Sequence, residues 1–314
     1  MKKYGVRALV VLLIVAAGLA IDVYQTVATL DTEKISDDVT VLFGLGGNVG
    51  VLRTERGSVI VDTMTFRLQG ERIREEAERL TGGEVGVILN THYHRDHTHG
   101  NPGFPGGTRI VATQRTKELM NAFDAEYWTG SAAATMPNET FETSHEIALG
   151  GKTVRVMNLG RGHTSGDLVV LFVEDRVIHL GDLLFSHRYP SVDLEAGGSV
   201  EQWIGTLDRV LALDGYDRVI PGHGPVTDRD GIRQFQAFLK ELWEQTSAAV
   251  QAGQTLEQTL RSVKLTEDAG YEAIAVPLVV RIDRDFVVKR AWQEATGTVL
   301  PSGPAANDAM GTRQ

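Results

Sequence analysis

Four histidines and one aspartate lie within eight positions of the segment T-H-Y-H-R-D-H-T-H-G-N, in a chain with nine histidines in all. His92 and His94 follow an apolar run, V-G-V-I-L, that is typical of a buried strand. Residues two apart in extended backbone point to the same side, so both imidazoles can bind one metal ion such as zinc. Asp96 and His97 require the chain to turn, and after a turn they can point toward a second position nearby.

Three further segments each place one metal-binding side chain at the end of a predicted strand. They are G-R-G-H-T with His163, H-L-G-D-L with Asp182, and P-G-H-G-P with His223. Strand ends in a packed sheet hold ligands rigidly, and neighbouring glycines leave room around an ion. A lone histidine in such a place is usually structural, so the inference depends on all the segments occurring together.

The order H-x-H-x-D-H, a distant histidine, Gly-Asp and Gly-His-Gly resembles the metallo-β-lactamase superfamily over about residues 39–250. The resemblance implies an α/β (α+β) fold, a four-layer αβ/βα sandwich with a metal site at one edge of its two sheets. It also implies two ligand groups, His92, His94 and His163 for one metal ion and Asp96, His97 and His223 for the other. Asp182 matches the carboxylate that bridges both ions in many members.

Two divalent ions about 3.5–4 Å apart can share a water molecule and lower its pKa toward 7. The bridging hydroxide that results attacks a carbonyl or similar group. We therefore expect an enzyme, a dinuclear zinc-dependent hydrolase of an ester, lactone, thioester or lactam-type bond in a small molecule. Asp96 and Asp182 are its expected catalytic carboxylates. The nitrogen and oxygen ligands suit two Zn²⁺ ions per chain, and Fe or Mn would also fit them.

The absence of cysteine separates this chain from the best-known zinc β-lactamases. Those enzymes have a cysteine where this chain has Asp182, which excludes that group, and another β-lactamase group lacks the bridging aspartate. The pattern is similar to glyoxalase II-like thioesterases, lactonases and periplasmic hydrolases, and more loosely to zinc metallohydrolases associated with quinoprotein systems. Two alternatives stay open: a true β-lactamase, and a mono-iron persulfide dioxygenase-type oxidoreductase. The diiron branch has a glutamate where this chain has His94.

Several residues beside the ligands are candidates for supporting roles. Tyr93, His187, Arg188 and Asp193 are predicted to line the substrate pocket, since they adjoin the ligand-bearing segments. His99 is not an expected ligand, because it faces another way at a predicted helix start. We expect it to have a second-shell or structural role, for instance as a donor to a ligand or to a carbonyl group.

The N-terminus has the pattern of an export signal. Lys2, Lys3 and Arg7 accompany an uncharged run of fourteen residues from Ala8 to Ile21. A membrane span needs about 20 residues, whereas a run of this length suits the core of a secretory signal. We predict a signal peptide or N-terminal membrane anchor over residues 1–21. The protein would be exported to the periplasm, soluble after cleavage or tethered to the membrane.

Composition and pattern define the remaining organisation. The 314 residues are 42% hydrophobic and 23% charged, as is ordinary for a globular protein. The net charge of −10 argues against nucleic acid as a partner, so a small-molecule substrate is expected. We predict a linker at 22–37, the hydrolase domain with C-terminal helices at 38–297, and a disordered tail at 298–314. Helices are expected at 67–81, 113–130, 200–213 and 228–251, with two shorter ones after them.

Overall fold

The structure, a computed structural model, describes residues 23–276 and 280–299. The predicted signal or anchor at 1–21 lies outside the described residues, as does all but the first two residues of the predicted tail. Within the described ranges, no helix is long and apolar enough to cross a membrane.

Seven strands form the first sheet, in the order β1 to β7 along the chain. They are β1 (Asp31–Lys34), β2 (Val39–Phe43), β3 (Val49–Thr54), β4 (Gly57–Val61), β5 (Val85–Leu89), β6 (Ile110–Thr113) and β7 (Glu139–Phe141). The pairs from β1 to β4 are antiparallel, and those from β4 to β7 are parallel. The parallel strands β4 to β7 all end at the same edge of the sheet, where β5 leads directly into the histidine-rich segment.

Five strands form the second sheet, in the order β12-β11-β10-β9-β8. They are β8 (Ser144–Leu149), β9 (Lys152–Met157), β10 (Val169–Phe172), β11 (Val177–Phe185) and β12 (Arg218–His223). Two short strands, β13 (Ile274–Val276) and β14 (Val280–Ile282), pair with each other near the C-terminus. Strands β11 and β12 are parallel, with register shifts on either side of Gly181. Asp182 and His223 therefore lie on adjacent strands.

Helices cover the outer faces of the two sheets. They are α1 (Arg67–Thr81), α2 (Arg95–Thr98), α3 (Gln114–Phe123), α4 (Val200–Ala212), α5 (Arg229–Gln251), α6 (Leu256–Ser262) and α7 (Arg284–Thr296). Ser199 caps α4 by accepting a hydrogen bond from the Gln202 amide, as its position before the helix predicts.

Three hydrophobic clusters join these layers. One contains inward-facing side chains of both sheets, including Val59, Val87, Val154 and Phe172. A second joins the outer face of the first sheet to α1, and a third joins the second sheet to α4, α5 and α7. The layer order is therefore helix, sheet, sheet, helix, which confirms the predicted four-layer sandwich.

Two boundaries differ from the sequence prediction. The polarity of residues 22–37 predicts a linker, but residues 23–28 are helical and Asp31–Lys34 form the edge strand β1. All four β1 residues are exposed, so no apolar alternation marks this strand. The helix expected over 113–130 ends at Phe123, and a turn places Tyr127 and Trp128 beside Tyr93 in a small apolar cluster.

Phe172 is expected to carry much of the packing between the sheets, because it is fully buried in the cluster that joins them. Replacing it with alanine should lower the free energy of unfolding by about 3–5 kcal/mol. Leu45→Ala is the control, since this side chain is exposed and its loss should change stability by about 0.5 kcal/mol or less. Urea unfolding followed by circular dichroism measures both values, and equal effects would show that Phe172 does not join the sheets.

Candidate metal centre

The structure brings together all seven side chains that the sequence marks as metal ligands. They form two groups, His92, His94, His163 and Asp182 in one, and Asp96, His97 and His223 in the other. Within each group the potential ligand atoms all lie within 4.8 Å of one another. They come from the loop after β5, helix α2, the loop after β9, the interior of β11 and the end of β12. Asp182 therefore lies within its strand and not at the strand end that the sequence predicts.

The first group converges through ring nitrogens and one carboxylate oxygen. His163 Nε2 lies 2.8 Å from His94 Nδ1. Asp182 Oδ2 lies 3.5 Å from His163 Nε2 and 3.9 Å from His92 Nε2. Four ligands placed tetrahedrally around zinc at its usual bond lengths lie about 3.3 Å apart, so these separations suit a zinc ion at the centre.

The second group converges on the other oxygen of the same carboxylate. Asp182 Oδ1 lies 3.1 Å from His97 Nε2 and 3.5 Å from His223 Nε2. Asp96 Oδ2 lies 3.3 Å from His223 Nε2 and 3.7 Å from His97 Nε2. Asp182 therefore faces one group with Oδ2 and the other with Oδ1, which is the arrangement of a bridging ligand.

Two buried atoms in the cluster lack the partners that buried polar atoms require. His92 Nε2 and Asp182 Oδ1 make no hydrogen bond, although both are shielded from water. Such orphaned atoms are rare in folded proteins and each calls for an explanation. A cation bound between the groups would satisfy both, so the residues present fit a metal centre.

Groups outside the cluster fix which nitrogen of each ring faces inward. Asp62 lies 2.7 Å from His97 Nδ1, and Asp193 lies 2.8 Å from His94 Nε2. The carbonyl oxygen of Ser191 lies 2.8 Å from His163 Nδ1. Because these oxygens can only accept, each outward nitrogen carries a proton, and the inward nitrogen is the one that can bind a metal ion. Outer partners of this kind orient metal-binding histidines in many proteins.

The electrostatics of the cluster favour bound cations. Burial lowers the pKa of His163 to about 4, which keeps this imidazole neutral and able to bind metal. Burial also acts to lower the pKa of His97, but Asp182, Asp96 and Asp62 outweigh it and raise the pKa well above its usual value. Asp62, Asp96, Asp182 and Asp193 together bring four negative charges, which two divalent cations would balance.

Glycines next to the ligands leave no room for a side chain. A Cβ on Gly222 would lie 2.0 Å from Asp182 Oδ1, and one on Gly47 would lie 2.2 Å from His97 Cε1. Real Cβ atoms do not approach so closely, so these glycines are required by the space that the ligands occupy. Gly222, which precedes His223 in Gly-His-Gly, therefore leaves free the space that the Asp182 carboxylate occupies.

The predicted pocket residues have different positions. Arg188 lines a cavity of about 560 Å³ that also reaches His223, whereas the adjacent His187 side chain is exposed. Tyr93 and Asp193 do not line this cavity. They hydrogen bond to each other, and Asp193 holds His94. Their position next to a ligand made them pocket candidates, but their side chains point toward the back of that ligand.

His99 lies away from both groups, as expected for a residue that is not a ligand, and it has the structural one of the two roles that the sequence suggests. Its Nε2 lies 2.7 Å from Asp124 Oδ2, and its ring stacks on Tyr127 with centroids 3.4 Å apart. The hydroxyl of Tyr127 donates a hydrogen bond to the carbonyl oxygen of His99. The ring therefore joins α2 to the turn after α3 rather than contacting a ligand.

Two contributions to the site were missed by the sequence analysis. Asp62 ends the run S-V-I-V-D, and its polar character at a strand end was the only signal for its contact with His97. Helix α7 holds the loop that carries Ser191 and Asp193. Arg290 donates to the carbonyl oxygen of Val192, and Glu294 accepts from the Ser199 hydroxyl. No local pattern in the sequence links positions so far apart.

Comparison with known proteins identifies the family. The sequence profile described as the metallo-beta-lactamase superfamily matches residues 42–223, more than half of the chain. The chain belongs to the metallo-beta-lactamase superfamily. The predicted class, a metal-dependent hydrolase of this superfamily, is thereby confirmed. Residues 224–299, which include helices α5 to α7, lie beyond the matched segment.

Individual members of the metallo-beta-lactamase superfamily resemble this chain at low identity. Metallo-beta-lactamase IND-1 of Chryseobacterium indologenes is 27% identical over 176 residues, 55% of this chain and 69% of that protein. A hydroxyacylglutathione hydrolase of Methylococcus capsulatus is 30% identical over 154 residues, 47% of this chain and 52% of that protein. The structure of a metallo-beta-lactamase from Pontibacter korlensis matches with a TM-score of 0.58 and 22% identity, over 68% of this chain and 99% of that one. This structural likeness shows the shared fold.

Asp193→Asn tests whether this carboxylate supports the first ligand group. His94 Nε2 and the Tyr93 hydroxyl both donate to Asp193 Oδ2, and the Ala196 amide donates to Oδ1. An asparagine would place its donor against one side or the other and would remove the negative charge beside His94. We expect zinc affinity at this group to fall about 10–100-fold. The control is Asp124→Asn, which removes a similar contact to His99 outside the cluster. Competition with a chromophoric chelator measures the affinities, and equal zinc binding by both variants would contradict the role of Asp193.

Proposed function

We propose that this protein is a dinuclear zinc hydrolase that cleaves an ester, lactone, thioester or lactam-type bond in a small molecule. The position of Asp182 is the observation that carries the proposal. Its two oxygens face two separate ligand groups, with distances of 3.1–3.9 Å to the surrounding histidine nitrogens. A carboxylate in this position could bind one ion through each oxygen, as a hydrolytic two-metal site requires.

The second ligand group favours this proposal over a mono-iron oxidoreductase. A single ion held by His92, His94 and His163 would leave Asp96, His97 and His223 without a function. Yet Asp62 contacts His97 Nδ1, so that His97 Nε2 faces the second group, and Gly47 leaves room for the imidazole ring of His97. Each group therefore contains a histidine that an outer aspartate orients, His97 in the second group and His94 in the first.

The residues of the cluster have distinct roles in the proposed reaction. Two bound zinc ions would acidify a water molecule and polarise the bond under attack. Asp182 holds both ligand groups in register, and Asp62, Asp193 and the Ser191 carbonyl keep the imidazole lone pairs directed inward. The Asp96 side chain is 34% exposed, compared with 16% for His223 and 0% for His97. We propose that substrate approaches from this side.

The names of the relatives do not distinguish among the proposed substrates, since they include metallo-beta-lactamases and a hydroxyacylglutathione hydrolase. The ligands of this chain contain no thiolate, because it has no cysteine.

We further propose that residues 1–21 direct the chain to the periplasm. Fusion of these residues to alkaline phosphatase, which is active only after export, tests that proposal, and an inactive fusion would contradict it.

Metal content and turnover together test the proposed activity. Protein reconstituted with zinc should contain two ions per chain by elemental analysis and should hydrolyse a chromogenic 4-nitrophenyl ester. Dialysis against a chelator should remove both the metal and the activity, and zinc should restore them. Asp96→Asn should abolish the activity. Less than one ion per chain after reconstitution, or an unchanged rate in the variant, would contradict the proposal.

A further inference from the structure

A cavity of about 560 Å³ opens beside His223 and is lined in part by residues beyond the superfamily match. Its lining includes Asn48, His223, Arg188, Glu272 and Ile274. Because it reaches a proposed metal ligand, a substrate bound at the centre would extend part of its structure into this cavity.

Residues 268–274, the C-terminal strap, are anchored to the loop that follows the Asp182 strand. The Glu272 amide donates to the His187 carbonyl oxygen at 3.0 Å, and the Tyr189 amide donates to the Glu272 carbonyl oxygen at 3.2 Å. The Tyr189 hydroxyl donates to Asp268 at 2.6 Å. Tyr271 of the strap packs on Phe238 of α5, with ring centroids 5.0 Å apart. The strap backbone is therefore held against the loop that carries Arg188, at the edge of the cavity.

The strap changes the charge that the cavity presents. The Arg188 guanidinium pairs with the Glu272 carboxylate, and the two side chains are 33% and 71% exposed. Glu33 lines the same cavity, and its nearest cation, on Arg218, lies 3.9 Å away. The ionisable wall outside the metal centre therefore has two negative charges and one positive charge, and the positive one is already paired.

We propose that Glu272 determines substrate specificity by neutralising Arg188, so that the cavity accepts an uncharged part of the substrate and rejects a carboxylate. The inference rests on the proposed hydrolase function. An unpaired arginine would bind a carboxylate through two parallel hydrogen bonds. The Glu272 carboxylate contacts one of the Arg188 donors, Nη1, and repels a second anion. Repulsion of this kind is a common source of specificity.

The proposal narrows the substrate class. Neutral esters, lactones and thioesters fit a cavity that holds no free cation in its described wall. β-Lactam antibiotics carry a carboxylate next to the ring that is opened, so the Arg188–Glu272 pair disfavours them. The favoured substrate is therefore a neutral acyl compound rather than a β-lactam acid.

A matched pair of substrates tests the role of Glu272. The 4-nitrophenyl ester of hexanoic acid and the mono-4-nitrophenyl ester of adipic acid share a leaving group and differ by a terminal carboxylate. In the zinc-loaded native protein the hexanoate ester should have the higher kcat/KM. In Glu272→Gln the adipate-to-hexanoate ratio of kcat/KM should rise about tenfold or more, since one charge-assisted contact becomes available. The added substitution Arg188→Gln should remove that gain, and Glu267→Gln on the neighbouring exposed turn should leave the native ratio.

A binding measurement keeps the inference separate from the activity. Calorimetric titration of the zinc-loaded proteins with adipate should show about tenfold tighter binding to Glu272→Gln than to the native protein. The metal centre is the same in both, so the difference reports on Arg188. A ratio and an affinity that both stay within about twofold of the native values would overturn the inference. If neither ester is hydrolysed, the proposed function fails, and the adipate titration alone then decides the role of Glu272.

Discussion

Asp182→Asn is expected to reduce the zinc content from two ions per chain to one or none and to lower kcat/KM for an ester substrate by about 10³-fold. The amide keeps one oxygen and replaces the other with a donor, which would repel the ion on that side. Oδ1 and Oδ2 of the native residue face the His97 and His92 groups respectively. The substitution therefore removes the connection between the two groups. Elemental analysis and steady-state kinetics measure the two effects.

Asp175→Asn provides a control of equal burial. The side chains of Asp175 and Asp182 are each 5% exposed, but Asp175 pairs with Lys152 at 2.8 Å and lies outside the cluster. This variant should lose some stability, because the Lys152 ammonium group loses one of its two carboxylate partners and keeps only Asp38, at 2.7 Å. It should nevertheless keep both ions and its activity. An Asp182→Asn variant with two ions and a native rate would contradict the bridging role.

Gly222→Ala is expected to lower kcat/KM by about 10²-fold without removing any ligand. The added Cβ would lie 2.0 Å from Asp182 Oδ1 and 2.6 Å from the carbonyl carbon of Gly181, so the bridging carboxylate must move. Displacements of about 1 Å in a catalytic group commonly cost a factor of this size. Chelator competition should show weaker binding of both zinc ions, since the displaced Asp182 carboxylate contacts both ligand groups.

Gly106→Ala is the matched control for this substitution. A Cβ at Gly106 meets nothing within 4 Å, and its φ is not in the left-handed region. The same chemical change should therefore leave zinc affinity, rate and stability at native values. If Gly222→Ala binds zinc as tightly as Gly106→Ala does, the ligand packing described for Asp182 is wrong.

The ligand set could be predicted from the sequence because each member lies in a short local pattern. His92 and His94 are separated by one residue after a strand, and Asp182 and His223 lie in Gly-Asp and Gly-His-Gly segments. Their order along the chain, together with the family resemblance, gave the grouping around Asp182. The structure places the same residues in the same two groups.

The supporting residues could not be predicted in this way. Asp62 is in the left-handed region with φ 65°, and its contact with His97 joins residues 35 positions apart. The contact between Asp193 and His94 spans 99 positions. These pairs depend on how two sheets stack rather than on local spacing. Position next to a ligand suggested that Asp193 lines the pocket, but only the packed structure shows that its side chain faces the back of His94.

The C-terminal segment illustrates the same limit of sequence patterns. Its helices were predicted from apolar periodicity, and α5, α6 and α7 are present at those positions. Periodicity contains no information about which loop a helix holds. The contact of Arg290 with Val192 and the pairing of Glu272 with Arg188 depend on how helices and strap pack against the second sheet.

Anomalous diffraction at the zinc edge, from crystals of the zinc-loaded protein, tests the central claim most directly. The proposed function predicts two peaks about 3.5–4 Å apart on either side of the Asp182 carboxylate. One peak should lie among His92, His94 and His163, and the other between Asp96, His97 and His223. A single peak in the first group, with the second group occupied by water alone, would contradict the dinuclear centre on which the proposed hydrolysis depends.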